Sequence, residues 1–464
     1  MRLARIVLAH CFVAAAVAIF AIAAPNIASA EKIKLIEVAD NSKTTDETVL
    51  VIAGVDVGDN FELTDIARIQ GDLVGSGLFK SVEVFSEPVP GGVKLTILAK
   101  DKHSWVIAPT YYNQPTNQGG GVGFGENNLF GTNKKLLLYG QIATGDSFFI
   151  GAYVDPAING TRWKWQYDVY LLSERLIEYA APTELIEDAQ PVREGRMNYL
   201  NTGVKGGVNL FRGASIDMRL RGAHVGFDDV KLAEGATMDD VTNVDDTSSC
   251  SVNGEVCAPG ESGWDVSGEV ILQYDRRANW YGITSGDRYT FTYEHALPTL
   301  GSDFNYWYAG GKFERSRKYF SRHNLVMKAS AGYGKNLPYQ QEYRTGGTGN
   351  RGYLNDQQRG DLKIGTNVEY SVPVFTIKGF ALRALAFWDS AYTTFQDIEQ
   401  SDYEFRHYLP DSDPLGFKPF KNSVGIGTRI FVRQIVLPLL GLDLGYGLER
   451  NAFEVYLAVG LTDF

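Results

Sequence analysis

The sequence predicts a mainly β protein, a 16-stranded antiparallel transmembrane β-barrel preceded by one small α/β domain. Three observations carry this. The chain holds 25 Tyr, 25 Phe, 7 Trp and 50 Gly in 464 residues, yet after residue 30 no apolar run is long enough for a membrane helix. Its strand-like stretches alternate polar and apolar residues. Its connections sort by length into two sets.

RWKWQYDVYL (162–171) shows the alternation. Arg162, Lys164, Gln166, Asp168 and Tyr170 fall on one face, and Trp163, Trp165, Tyr167, Val169 and Leu171 on the other. That period of two is a strand with one wet and one greasy side. RYTFTYE (288–294) and IDMRLR (216–221) repeat it. A soluble sandwich strand shares the pattern, so the count must decide.

The expected strands are 105–113, 119–126, 134–143, 146–154, 163–176, 198–210, 213–224, 265–275, 285–296, 303–315, 321–334, 360–371, 377–391, 418–431, 436–448 and 451–464. An even number suits a bacterial barrel, whose closure leaves no backbone group bare in lipid. With the first strand starting at the periplasmic side, the even-numbered connections are periplasmic. They are 127–133, 155–162, 211–212, 276–284, 316–320, 372–376 and 432–435, and all are short. The long ones, 177–197, 225–264, 335–359 and 392–417, are all odd-numbered and so lie outside. A sandwich gives no reason for that sorting.

Residues 1–30 open with Arg2 and Arg5, continue as an apolar run and end Ala28-Ser29-Ala30. They read as a signal peptide cleaved before Glu31, with a retained anchor as the competing reading. Removing both arginines takes the net charge of −11 to about −13, which argues against nucleic-acid binding. In an exported chain Cys250 and Cys257, in CSVNGEVC, are expected to form a local disulfide. Their loop, 225–264, carries nine acidic residues against one lysine. It reads as a solvated surface loop. Cation binding at Asp239-Asp240 or Asp245-Asp246 is the alternative, without a defined ligand spacing. The six histidines form no metal-like cluster, and no nucleophile motif or phosphate loop is present, so no metal, cofactor or enzymatic reaction is expected.

Residues 31–101 read as strand, helix, helix, strand, strand. IKLIEV (33–38) is the first strand. Thr44-x-x-Glu47 is a capping box for the helix TDETVLVIA, and Gly54 ends it. Leu63, Ile66, Ile69 or Gln70, and Leu73 recur on one face of a helix over 62–76. SVEVFSE (81–87) and GVKLTILAKD (92–101) pair through Pro88, Pro90 and Gly91-Gly92. Gly77-Leu78-Phe79 followed by Val82 and Val84, with Gly58-Asp59 before the second helix, resembles a POTRA domain, the periplasmic module of BamA and its relatives.

The stretch GTGNRGYLNDQQRGD (347–361) extends the resemblance. It lies in the sixth external loop, 335–359, where BamA-like proteins and two-partner-secretion transporters carry an inward-folded Arg-Gly-aromatic motif. Here it is Arg351-Gly352-Tyr353, with Asn350 where the family commonly has valine. A guanidinium inside a barrel needs acceptors, and a carboxylate on the wall can take two parallel bonds. The family partner is the aspartate of Phe-x-Asp-x-Gly on the thirteenth strand. Phe387-Trp388-Asp389-Ser390-Ala391 matches except at Ala391. Arg383 and Ala381 share the face of Phe387 and Asp389, while Leu382, Ala384, Ala386 and Trp388 look to lipid. Arg344 and Arg359 read as loop or rim charges.

GFGENNLFGTNKK (123–135) is similar to the family's glycine-rich turn between strands two and three. The terminal EVYLAVGLTDF resembles an outer-membrane assembly signal anchored by Phe464. Pro109 interrupts the ladder potential of the first strand, and Gly460 sits on the last. Together they suggest a weakened seam where those strands close. A bulge that curves the wall is the alternative.

The resemblance implies a BamA/TamA-like or two-partner-secretion protein in the bacterial outer membrane, with its N-terminal domain in the periplasm. The function it implies first is insertion or assembly of outer-membrane proteins through the POTRA domain and seam. A secretion pore for a dedicated partner is the main competitor, since only one POTRA-like domain is read here. A structural or passive porin-like barrel is the third class. The partners implied are an unfolded outer-membrane or secreted client, membrane lipids and lipopolysaccharide, and a periplasmic chaperone or accessory protein.

Overall fold

The computed structural model describes residues 31–179, 190–211, 213–238, 251–252, 255–280, 283–320, 322–377, 380–396, 420–432 and 438–459. The expected signal segment 1–30, Gly460, Phe464, Cys250, Asp239-Asp240 and Asp245-Asp246 lie outside them. The chain divides into two compact units, Met1–Lys102 and His103–Phe464.

In the first unit the apolar faces of two helices cover one face of a sheet. β1 (Glu31–Ala39), α1 (Asp46–Ala53), β2 (Asn60–Phe61), α2 (Leu63–Gly75), β3 (Phe79–Val89) and β4 (Gly92–Asp101) follow in order. The sheet order is β2-β1-β4-β3, with β1 parallel to β4. Ile33, Leu95, Ile97 and Ala99 from the sheet meet Val49, Ala53, Ile69 and Leu73 from the helices in one buried core. The fit matches a POTRA-like domain of 4 strands and 2 helices. The short β2 escapes sequence reading because two residues show no period.

One local assignment changes. The cap of α1 is Thr45, whose hydroxyl accepts the Thr48 N–H at 3.2 Å, and not Thr44. Thr44 Oγ1 bonds Asp101 at the end of β4 instead. The same carboxylate accepts the N–H groups of Ser42 at 2.7 Å and Lys43 at 2.6 Å. Burial opposes its charge, but the Thr44 hydroxyl and these backbone donors together hold the Asp101 carboxyl below its usual value. Gly54 ends α1 at φ 61°, returning its N–H to Leu50.

The second unit is a closed barrel of 16 antiparallel strands. They are β5 (Trp105–Gln114), β6 (Asn117–Leu129), β7 (Lys134–Ala143), β8 (Asp146–Asp155), β9 (Trp163–Tyr179), β10 (Pro191–Phe211), β11 (Ala214–Leu232), β12 (Gly263–Asp275), β13 (Ile283–Ala296), β14 (Trp307–Tyr319), β15 (His323–Lys335), β16 (Leu362–Ile377), β17 (Phe380–Thr394), β18 (Lys421–Val432), β19 (Pro438–Gly447) and β20 (Ala452–Val459). Trp163, Trp165, Tyr167 and Leu171 stand on the outer, apolar face, and Phe291 and Tyr293 repeat this on β13. An outward apolar band with a polar lumen is what lets strands cross a bilayer. The long connections still follow β9, β11, β15 and β17, all on one side of the wall.

The strands on that side run further than the sequence suggests. β10 starts at Pro191 and β11 ends at Leu232, inside segments expected as loops. Glu194 lies opposite Lys231 and pairs with it at 3.9 Å, and Arg193 pairs with Glu178 of β9, so charges that read as loop are matched across the ladder. Residues 303–306, expected to begin a strand, do not. Phe304 and Tyr306 turn inward and pack on Leu337. The expected connection 372–376 is part of β16, because a register shift between Pro373 and Phe375 accommodates the proline.

Candidate functional site

The segment between β15 and β16 is built from a short two-stranded stem, in which Tyr343–Thr345 pairs with Gln358–Gly360. The turn at its tip places Asn350, Arg351, Gly352 and Tyr353 in buried positions. Arg351 is 3% exposed. Its Nε donates to Asp389 Oδ2 at 2.8 Å and its Nη2 to Asp389 Oδ1 at 2.9 Å, the parallel pair that the fork geometry favours. The Arg351 backbone N–H donates to the same Oδ2 at 3.2 Å. The guanidinium carbon lies 3.4 Å from the centre of the Phe387 ring. Phe387 and Asp389 point inward from β17 two residues apart, and Trp388 between them is exposed on the outer face. Gly425 on β18 leaves the space that the Phe387 ring occupies.

A second carboxylate completes the site. Asp443 on β19 accepts from Arg351 Nη1 at 2.9 Å and from Arg429 Nη2 at 2.7 Å. Two buried carboxylates thus face two guanidiniums, which offsets the desolvation that an isolated charge would suffer. Asp443 escaped sequence reading, although it is an inward-facing acid in the otherwise apolar LLGLDLGYG.

Asn350, where the family commonly has valine, keeps the turn against the wall through its amide. It donates to the Lys421 carbonyl at 3.1 Å and accepts from Ser423 Oγ at 3.2 Å. Gly352 has φ 99°, and a Cβ there would lie 2.5 Å from the Gly447 nitrogen. Only glycine fits both the backbone and the space. The Tyr353 hydroxyl donates to the Asn422 carbonyl at 3.2 Å and bonds Glu449. Ala391, in place of the motif's glycine, is buried and lies opposite Gly365 of β16.

The turn also reaches the terminal strand. Tyr456 of β20, fully buried, accepts the Gly352 N–H at 3.0 Å and donates to the Tyr353 carbonyl at 3.1 Å. One side chain thereby satisfies two buried backbone groups of the motif. From the next residue on, β20 joins β5 through Leu457–Asn113, Ala458–Tyr112 and Val459–Tyr111. Among the described residues these three pairs close the barrel, whereas β19 and β20 pair from Leu440–Val459 to Gly447–Ala452. Pro109 is outward on β5 and pairs with Val122 of β6 without a register shift, so no bulge separates those strands.

Arg344 and Arg359 are not rim charges. Arg344 pairs with Glu174 on β9 and with Asp356 at 3.2 Å. Arg359 is 2% exposed, donates to Glu342 at 2.8 Å, and lies 3.5 Å from the Tyr339 ring centre. Both strands of the stem are fixed by buried charges, Arg359 by Glu342 of the same loop and Arg344 by Asp356 and by Glu174 from the distant β9. Cys257 is disulfide-bonded. No cluster of metal-ligating side chains occurs among the described residues.

The Omp85 superfamily domain matches residues 128–446. The chain belongs to the Omp85 superfamily. BamA from Haemophilus ducreyi lacking POTRA domains 1–3 superposes with a TM-score of 0.60 and 16% identity, over 93% of this chain and 84% of that one. CdiB from Acinetobacter baumannii gives 0.61 and 12% over 93% and 74%, and CdiB from Escherichia coli 0.53 and 11% over 96% and 93%. At these identities the likeness is one of fold. No curated protein matches the chain. Omp85 barrels are bacterial outer-membrane proteins, and members of the superfamily are transporters or insertases rather than enzymes.

Proposed function

We propose that this Omp85 protein inserts or assembles client proteins in the bacterial outer membrane through the seam between β5 and β20. The observation that carries the reading is Tyr456. It couples the strand that closes the barrel to the inner loop held by Arg351. While the turn is seated, Tyr456 is fixed and β20 with it. A client strand that displaces β20 from β5 takes over the closing pairs, three among the described residues, and offers its own backbone groups in exchange. Pro109 contributes no N–H to the ladder on this strand.

The N-terminal domain supplies a place for a client to dock. Beyond Ile33, whose N–H and carbonyl bond Asp59 and Gly58, β1 has no strand partner on its β2 side among the described residues, and Leu35 there is exposed. An extended peptide adds to such an edge through main-chain bonds with little demand on sequence. No nucleotide or bond-making step is involved. The roles of Arg351, Gly352, Tyr353, Phe387 and Asp389 in this reading are to hold the loop. Those of Pro109, Gly460 and Phe464 are to define the seam and its terminal strand.

A Tyr111→Cys/Val459→Cys pair tests this directly, since the two residues face each other across the seam. Oxidising the pair should stop insertion of a reconstituted outer-membrane client, and reduction should restore it. Undiminished insertion by the locked barrel would favour a secretion pore through the lumen, the function implied by a CdiB-like reading.

A further inference from the structure

Beneath the inner loop the lumen holds a cavity of about 460 Å³, bordered on the side of the lock by Asn367, whose amide bonds Asp389. Three rows of inward residues form its wall. Arg288, Glu314, Lys328 and Asn367 lie side by side on β13, β14, β15 and β16. Thr290, Lys312, Ser330 and Gly365 form the next row, and Thr292 and Lys363 are the ends of the third, whose middle positions, Gly310 and Gly332, face a neighbouring lobe. Gly365 and, from the inner loop, Gly349 line it without side chains.

The charge there is one-sided. The lining carboxylate of this cavity, Glu314, is taken by Arg277 at 2.8 Å. Lys312 and Lys328 have no ion pair or hydrogen bond among the described residues. Lys363 donates to the Arg344 carbonyl, at 2.5 Å, and makes no ion pair among the described residues. Arg288 has its nearest carboxylate, Asp275, at 3.7 Å, and its Nε is buried with no hydrogen-bond partner. The Arg288 side chain is 40% exposed and lines the cavity, so its guanidinium is open to a further acceptor. An adjoining lobe of about 440 Å³ shares Lys312 and Lys363 but adds Glu269, so the positive surplus is greatest in the first.

We infer that this chamber is a binding site for a small, multiply charged phosphate anion. Arginine and lysine beside Ser and Thr hydroxyls offer many donors to a compact oxyanion. Arginine also matches phosphate with two parallel bonds. The site lies in the water-filled lumen, so the ligand is soluble and not a lipid headgroup held in the bilayer. Its partners come from four neighbouring strands on the wall from β13 to β16, away from the β5–β20 closure. Occupancy would therefore stiffen that wall without touching the seam.

Inorganic pyrophosphate is the probe, titrated calorimetrically into the full chain folded in detergent at fixed ionic strength. The expected result is saturable binding at one site, at least ten-fold weaker in Lys312→Gln/Lys328→Gln. Citrate should bind at least ten-fold more weakly than pyrophosphate. Pyrophosphate should also protect Lys312 and Lys328 of the parent from an amine-reactive reagent, read by mass spectrometry, which requires no variant. Absence of saturation, equal affinity in the variant, equal binding of citrate, or labelling of both lysines unchanged by pyrophosphate would each overturn the site.

Discussion

The Tyr456 hydroxyl accepts the Gly352 N–H at 3.0 Å and returns its own proton to the Tyr353 carbonyl at 3.1 Å. A residue of the strand that closes the barrel thus holds the backbone of the loop motif that fills it. The bond makes loop and seam parts of one mechanical unit.

Tyr456→Phe keeps the ring and removes both bonds. It leaves the Gly352 N–H and the Tyr353 carbonyl buried without these partners, a loss of about 1–3 kcal/mol per group. The loop should become susceptible to a protease added from outside at concentrations that leave the parent intact. Client insertion should fall several-fold while the barrel still shows heat-modifiable migration.

Arg351→Ala leaves Asp389 and Asp443 buried with less compensation, and should destabilise docking of the loop by about 3–5 kcal/mol. Arg351→Lys should recover only part of this, because an ammonium cannot make the paired bonds to Asp389 and reach Asp443 together. Asp389→Asn should impair client insertion more than barrel assembly. In a double-mutant cycle, Arg351 and Asp389 should show coupling of about 0.5–3 kcal/mol in chemical denaturation.

Gly352→Ala tests the closeness of the turn. The added carbon meets the β19 backbone at Gly447, and the positive φ strains any L side chain. Loss of at least about 1–3 kcal/mol in loop docking is expected by the same protease assay. Gly349→Ala, where nothing lies within 4 Å of the added carbon, should have little effect.

In the first unit, Asp101 ties the chain before α1 to the end of β4. Its folded carboxyl titrates below the unfolded value, so its contribution is complete above about pH 4 and is lost as pH falls through the lower folded value. Urea denaturation of the full chain, followed through a probe in residues 31–101, should show a drop in stability from pH 6 to pH 3. That drop should shrink in Asp101→Asn, which should also be less stable at pH 6.

The sequence carried the strand count because each strand repeats one simple alternation, which local composition displays. It carried the Arg351–Asp389 pair because both residues sit in short motifs. It did not carry Asp443, Tyr456 or the Arg344–Glu174 pair. Those residues have no distinctive neighbours, and their roles arise only when closure brings β9, β19 and β20 around the loop. Polar strand tips such as Arg193–Arg196 were hidden for a related reason. Their charges are satisfied across the ladder, and a single strand shows only one partner of each pair.

Amide hydrogen exchange at Leu457–Val459 tests most directly whether the inner loop restrains the seam. In Arg351→Ala, exchange at these residues should be at least ten-fold faster than in the parent, while amides of β13 and β14 keep their protection. Equal protection at Leu457–Val459 in both proteins would contradict the coupling, and with it the seam as the route of insertion.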